Sequence, residues 1–198
     1  MKVRAVVFFS IVATLVSFVL LQKAPTPKPV ERYHFVKLDA KGKAMGEWSG
    51  PWSCVRDERS NLIWEVKSYD ETLRDEKCSY SWFDGSRGFA YGGSCFTKST
   101  KANTKDIIDY LNSIKLCGRD NWRLPTSKEL QTLLYAKAFV AKAKIENPFF
   151  PRTSRDVYWT STIKPKKQQA LGVNFLDGSL EWLSFENVAR VRLVSSPR

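Results

Sequence analysis

Histidine is almost absent from this sequence. Its 198 residues include one, His34. A serine–histidine–acid triad needs a histidine beside its nucleophile, and a histidine-based zinc site needs further ligands at a regular spacing. His34 has neither kind of partner, so no catalytic residue and no metal ligand is assigned. We therefore expect a protein that is not an enzyme and that has no cofactor.

Cysteine is scarce as well, and it never occurs as Cys-x-x-Cys. Cys54, Cys78, Cys95 and Cys117 are spaced too widely for a zinc ribbon or a thioredoxin-like motif. Four cysteines in an exported chain are typical of two structural disulfides. Three pairings are possible, and the spacing does not decide between them.

The chain contains one long uncharged run, at its N-terminus. Lys2 and Arg4 precede 17 uncharged residues, 5–21, which is the pattern of an export signal. The run lacks a typical cleavage site and is slightly shorter than the about 20 residues of a spanning helix. Residues 1–21 are therefore a signal anchor or a cleaved signal peptide. Either leads us to expect a periplasmic or cell-surface protein, anchored in the inner membrane by residues 5–21 if the signal is retained.

Residues 22–45 are interpreted as a linker. Three prolines between Ala24 and Pro29 favour an extended, stiff chain, and few apolar residues follow as far as Met45. Tryptophan becomes frequent from residue 46 onward, and its large rings can supply the core of a small domain. The sequence therefore predicts one folded domain over residues 46–198.

Helix-start signals and apolar patterns predict an α+β domain. Asn103 can cap a helix over about 105–116. Thr126 and Glu129 have the spacing of a capping box, which starts a second helix reaching Tyr135 or Phe139. Strands are predicted over 61–67, 80–83, 157–161, 169–175, 179–184 and 189–194. The pair Asp177-Gly178 favours a two-residue hairpin turn, in which Val173 faces Trp182 and Asn174 faces Glu181.

Several pieces of the sequence, taken in order, resemble a known family. The pieces are Cys54–Asp57, Asn61–Lys67, Tyr80–Phe83, Gly92–Cys95, Leu116–Gly118, Trp122–Thr126, Glu129–Leu130, Tyr158–Trp159 and Val191–Val194. Over about residues 48–194 they resemble the Lcl C-terminal domain family, named for the end module of a Legionella collagen-like adhesin. Trp-Arg-Leu-Pro-Thr and Val-Arg-Leu-Val are also similar to pieces of formylglycine-generating enzymes. That wider resemblance implies a C-type-lectin-like fold of two helices and small antiparallel sheets, with the termini close together.

The resemblance also bears on the cysteines and on metal binding. Family members usually have a cysteine where this chain has Ala102, and generally none where it has Cys78. The resemblance therefore implies a Cys78–Cys95 disulfide, which leaves Cys54 to pair with Cys117. It supplies no catalytic residues. The calcium-binding Glu-Pro-Asn and Trp-Asn-Asp sets of lectins are absent, and no copper-binding cysteine pair remains, so no metal is expected.

The segment Trp122-Arg-Leu-Pro-Thr126 is interpreted as a structural corner. Bulky neighbours indicate that Arg123 is buried, with its guanidinium donating to backbone carbonyls before the Thr126–Glu129 box. The alternative is that Arg123 binds an anionic ligand.

Charge is distributed unevenly along the chain. Residues 137–167 contain eight basic and two acidic residues, a net charge of +6, whereas residues 56–85 contain five basic and eight acidic residues, a net of −3. A basic surface attracts anionic polysaccharides or membranes over about one Debye length. A solvated surface that merely promotes solubility is the alternative. The candidate ligand-binding residues are Arg152, Arg155, Tyr158, Trp159, Lys164, Lys166 and Lys167.

These observations support an exported, envelope-associated binding module. Its expected partner is an anionic polysaccharide or an envelope protein. Nucleic acid is not expected for an exported domain, although the net charge of +12 alone does not exclude it. The alternative is a structural subunit of an envelope or secretion assembly. An enzyme related to the formylglycine-generating fold is the least favoured hypothesis.

Overall fold

Short antiparallel strands and two helices make up the computed structural model, which describes residues 34–97, 100–134, 143–145 and 148–197. The predicted signal segment, residues 1–21, lies outside these ranges. The helices are α1 (Thr104–Ser113) and α2 (Ser127–Gln131). The strands are β1 (Phe35–Leu38), β2 (Cys54–Asp57), β3 (Ile63–Glu65), β4 (Tyr80–Ser81), β5 (Phe96–Thr97), β6 (Thr100–Lys101), β7 (Trp122–Arg123), β8 (Val157–Lys164), β9 (Gln169–Asn174), β10 (Leu180–Ser184), β11 (Val188–Ala189) and β12 (Val194–Ser195).

The main sheet has the strand order β1-β2-β3-β12-β7, and every neighbouring pair in it is antiparallel. A second sheet has the order β10-β9-β8, and the short pairs β11-β4 and β5-β6 complete the pairing. The predicted α+β class is therefore confirmed. Among the described residues, no helix is both long enough and apolar enough to span a bilayer.

The N-terminal boundary of the folded part differs from the prediction. Residues 35–38, which were expected to belong to the linker, form β1, and Phe35 and Leu38 are buried. β1 pairs along its whole length with β2. The compact unit accordingly includes residues from 33 onward, and not only those from 46. The sequence signal was weak because β1 has only four residues and lies at the edge of its sheet.

Both predicted helix starts are confirmed by their capping hydrogen bonds. The Asn103 side chain accepts from the backbone N–H groups of Lys105 and Asp106, and Asp106 accepts from the Asn103 N–H. Thr126 and Glu129 form the same reciprocal pair at the start of α2. The helices end earlier than predicted. α1 ends at Ser113, shortly before Lys115 takes a left-handed conformation. α2 ends at Gln131. The predicted end of α2, at Tyr135 or Phe139, falls in residues 135–142, outside the described ranges.

The β9–β10 hairpin exists, but its predicted register is wrong by two residues. Val173 pairs with Leu180, and Trp182 pairs with Leu171. The turn spans four residues because the Gly178 N–H donates to the Asn174 carbonyl at 2.7 Å and Gly178 has φ +88°, a conformation that glycine adopts without strain. A two-residue shift keeps the same residues on each face. The Asn174 amide consequently still reaches the Glu181 carboxylate, at 2.7 Å.

The predicted strand over 189–194 is divided into β11 and β12. Residues between them leave the regular ladder, and Arg192 is fully buried. Its guanidinium donates to the Glu65 carbonyl at 2.7 Å and to the Thr153 hydroxyl at 2.8 Å. The Glu65 carboxylate accepts from the Leu193 N–H at 3.0 Å and from the Lys67 ammonium at 2.9 Å. Burial lowers the pKa of Lys67, and the Glu65 carboxylate opposes that shift.

Tryptophan side chains connect the sheets through their ring N–H groups. Trp82 donates to the Thr160 carbonyl at 2.9 Å, and Trp159 donates to the Tyr80 carbonyl at 2.7 Å. The β4 segment and β8 thus exchange hydrogen bonds in both directions. Satisfied ring donors allow both rings to be buried at little polar cost.

Two disulfides join Cys54 to Cys117 and Cys78 to Cys95. These are the pairs implied by the family resemblance. The first connects β2 to the 3-10 turn Leu116–Gly118 after α1. The second closes the segment that leads from β4 to β5.

We expect peptide mapping under non-reducing conditions to recover a Cys54–Cys117 peptide and a Cys78–Cys95 peptide. Each pair lies at bonding distance in the fold, and other pairings would require the strands to rearrange. The same digest after reduction is the control. A peptide that links Cys54 to Cys78 would contradict the pairing.

Replacement of Glu65 by Ala should lower the free energy of unfolding by about 3–5 kcal/mol, because it leaves the buried Lys67 ammonium without its carboxylate partner. Urea denaturation measures the loss. Glu58→Ala is the matched control, since Glu58 forms an exposed pair with Arg56 at 3.8 Å and should contribute about 0–1 kcal/mol. Equal losses in the two variants would contradict this role of the buried carboxylate.

Candidate functional site

The structure divides the predicted ligand-binding residues into three groups. Arg152 and Arg155 precede β8, whereas Lys164, Lys166 and Lys167 lie at its far end. β8 has eight residues, so its ends are separated by roughly 20–25 Å. Tyr158 and Trp159 lie between the two groups, inside the protein. The predicted residues therefore do not form one continuous patch.

Tyr158 and Trp159 were predicted to contact a ligand, and this prediction is wrong. Both side chains are buried, at 1% and 0% exposure. Tyr158 packs edge-on against Phe175, with ring centroids 4.7 Å apart, and its hydroxyl accepts from the Ser154 N–H at 3.0 Å. Trp159 is held by its bond to the Tyr80 carbonyl. An exposed aromatic pair and a core pair have the same sequence signature, and here both faces of β8 are covered, so that Tyr158 and Trp159 are buried in different hydrophobic clusters.

The arginine group is partly neutralised by nearby acids. The Arg152 Nε lies 3.9 Å from the Glu76 carboxylate. Close by, Arg190 pairs with Asp156 at 2.8 Å and also donates to the carbonyls of Glu76 and Cys78. Arg155 is exposed. This end of β8 combines both signs of charge and is a weaker candidate for an anion site.

The lysine group forms a concentrated cationic surface, which we call the lysine tip: Lys164, Lys166 and Lys167. Pro165–Lys167 form a 3-10 turn, which ends at Gln168 in a left-handed conformation. All three lysines are exposed. None of them forms an ion pair with another described residue. Their charges are therefore available to an external anion.

Trp182 is a part of this surface that sequence analysis missed. The Lys164 ammonium lies 3.8 Å from the centroid of the Trp182 ring, a cation–π distance. The sequence pattern had assigned Trp182 to an apolar strand face opposite Val173. In the observed register it lies on β10, the edge strand of the sheet, and remains partly exposed. Only the register of β8, β9 and β10 brings Lys164 and Trp182 together.

Lys137 and Lys142 contributed to the basic region of the sequence, but they lie outside the described residues. Lys144 is partly buried. Its backbone N–H donates to the Phe175 carbonyl at 2.8 Å. In the described part of the basic region, the lysine tip contributes three exposed cations close together in the chain.

The Trp122–Thr126 corner has the structural geometry that its sequence indicated, with a different main partner. Arg123 binds the Glu129 carboxylate through two hydrogen bonds of 2.9 and 2.7 Å, and it donates to the Ser196 hydroxyl at 2.9 Å. Only one weaker bond goes to a carbonyl, that of Leu124 at 3.2 Å. Arg123 is partly exposed and not buried as expected, whereas Trp122 is buried and donates to the Leu116 carbonyl.

Glu129 has two structural functions at this corner. It completes the capping box of α2 and pairs with Arg123. Hydrogen bonds from Arg123 lower the pKa of Glu129, against the effect of burial. A lowered carboxyl pKa stabilises the fold above the unfolded pKa of about 4.3, and this contribution is lost as the pH falls through the folded value.

No cluster of three or more histidine, cysteine, aspartate or glutamate side chains suited to a metal occurs in the part of the chain that the structure describes. What the tip offers chemically is positive charge next to an aromatic ring.

Comparison with known proteins identifies the family of the chain. The sequence model of the Lcl C-terminal domain matches residues 53–195, so the chain belongs to the Lcl C-terminal domain family. No curated protein and no solved structure gave a match.

Replacement of Arg123 by Ala should lower the free energy of unfolding by about 1–2 kcal/mol at pH 7, since the pair is bidentate but only partly buried. The loss should shrink as the pH falls from about 4.3 towards the lowered pKa of Glu129 in the parent, where the pair loses its carboxylate charge. Urea melts at pH 7 and pH 3.5 measure both values. Lys105→Ala removes an exposed pair with Asp109 and should cost under about 0.5 kcal/mol. An unchanged stability of Arg123→Ala at pH 7 would favour the ligand-binding alternative.

Proposed function

We propose that this protein is a non-enzymatic binding module that recognises an anionic glycan through the lysine tip and Trp182. One observation carries the proposal: three exposed lysines without described ion-pair partners lie beside a partly exposed edge-strand tryptophan. Sulfate or carboxylate groups of a polysaccharide can pair with the ammonium groups, while the indole supplies an apolar surface. Family membership relates the chain to the C-terminal module of an adhesin, which supports a binding function.

The fold itself is proposed to be C-type-lectin-like. The two helices, the small antiparallel sheets and the position of β1 and β12 in one sheet support this assignment.

We further propose that residues 1–21 direct export and either anchor the domain at the cell envelope or are cleaved from it. Under this proposal the domain meets its ligand in the periplasm or at the cell surface.

The proposal predicts salt-sensitive retention on immobilised heparin, which serves as an anionic polysaccharide probe. Lys164→Ala, Lys166→Ala and Lys167→Ala combined in one variant should elute at a clearly lower salt concentration than the parent, because three charge contacts are lost. The matched control combines Lys41→Ala, Lys43→Ala and Lys128→Ala. It removes the same charge from exposed positions elsewhere and should shift elution much less.

Equal shifts in the two triple variants would mean that net charge alone governs retention, and would contradict a specific site. Elution of the parent at low salt would also contradict it. If chemical crosslinking in cells then captured one defined envelope protein, the structural-subunit alternative would replace the proposal.

A further inference from the structure

A separate groove lies on the acidic part of the domain. It has a volume of about 690 Å³ and lies beside the Cys78–Cys95 disulfide, with Cys95 in its wall. This volume is within the roughly 300–1,000 Å³ of typical small-molecule sites. Neither the lysine tip nor Trp182 contributes to it. The groove is formed by the loop after β3 and by the segment that leads into β5.

Two aromatic rings line this groove and remain exposed. Tyr69 is 63% exposed and Phe96 is 61% exposed. Folded domains usually cover large apolar side chains, and clustered exposed rings indicate a surface that is used for binding. Phe96 is fixed on β5, which pairs with β6. Tyr69 is less free than its exposure indicates, because the Lys77 ammonium lies 4.8 Å from its ring centroid.

The polar groups in the groove are mainly acceptors. Asp70, Glu71 and Asp75 contribute carboxylates against the single ammonium of Lys77, and Ser94 contributes a hydroxyl. Although burial acts to raise its pKa, hydrogen bonds from Ser68 and Thr72 hold the pKa of Asp70 below its ordinary value. Asp70 is therefore an ionised acceptor at neutral pH, in a fixed orientation.

These features together exclude several kinds of ligand. Three carboxylates against one ammonium repel an anion such as the glycan proposed for the lysine tip. A wholly apolar ligand would desolvate the carboxylates without giving them partners. A cationic ligand is attracted by the three carboxylates, but the Lys77 ammonium, 4.8 Å from the Tyr69 ring centroid, repels it at that ring. A neutral ligand with many hydroxyl groups and an apolar face avoids all three penalties.

We propose that this groove, which we call the Tyr69 groove, binds a neutral oligosaccharide. The apolar faces of the sugar rings pack on Tyr69 and Phe96, and their hydroxyl groups donate to the Asp70 and Glu71 carboxylates. Hydrogen bonds to ionised acceptors are stronger than neutral ones. The domain then has two sites, one for anionic and one for neutral sugars.

The test uses an array of neutral glycans probed with the domain at 0.5 M NaCl, where charge-driven binding to the lysine tip is screened. We expect the parent to bind a subset of neutral oligosaccharides. Tyr69→Ala and Phe96→Ala should each weaken that binding about tenfold or more, the effect of about 1.4 kcal/mol of lost ring contact. Tyr91→Ala is the matched control, because Tyr91 is 66% exposed but does not line the groove.

The lysine-tip triple variant should bind the neutral array as the parent does, which separates this proposal from the proposed function. Absence of neutral-glycan binding by the parent would overturn the inference, as would equal binding by the parent and Tyr69→Ala. Analytical sedimentation of the parent and Tyr69→Ala tests whether a second copy of the chain occupies the groove instead of a sugar. Self-association that Tyr69→Ala abolishes, without glycan binding, would assign the groove to a second copy of the chain and overturn the proposal.

Discussion

The buried carboxylate of Glu65 connects β3 to the C-terminal segment that contains Arg192 and Leu193. It lies on β3 and binds Lys67 and the backbone of Leu193, while the Glu65 carbonyl accepts from Arg192. The contacts join residues about 130 positions apart in the chain and bring the C-terminal segment into the main sheet. One buried carboxylate beside two buried cations is costly unless every contact forms. The network therefore favours a single arrangement of β3 and β12 over shifted alternatives.

Around this network, hydrogen-bonded tryptophans and disulfides make a rigid scaffold from short strands. Apart from β8 and β9, the described strands have two to five residues and form few ladder bonds, so much of the stability must come from packing and cross-links. Trp82 and Trp159 connect the β4 segment to β8. The Cys78–Cys95 disulfide holds the wall of the Tyr69 groove, and the β8–β9 turn projects the lysine tip. Both candidate surfaces are thus attached to fixed elements, which limits the entropy lost on binding.

Local signals in the sequence predicted the fold class and both helix starts, because capping boxes depend on residues three positions apart. The family resemblance implied the disulfide pairs that the structure contains. Information that depends on distant partners was less accessible. Nothing local distinguished a buried Tyr158–Trp159 pair from an exposed one. The predicted hairpin register was based on a two-residue turn at Asp177-Gly178. In the structure Gly178 is instead the last residue of a four-residue turn. That shift placed Trp182 near Lys164, so the best part of the candidate site required the three-strand register.

The separation of charge has a physical consequence for how such a module binds. A single mixed surface would partly neutralise itself, as happens where Arg152 and Arg190 meet Glu76 and Asp156. The lysine tip avoids this because its turn extends beyond the sheet, and the acids of the Tyr69 groove belong to another part of the chain. Attraction at the tip is long-ranged and sensitive to salt, whereas ring packing and hydroxyl donation in the groove act only at contact. If both proposed sites bind sugars, they would bind different portions of one heterogeneous polysaccharide, and joint binding would exceed either affinity through effective concentration.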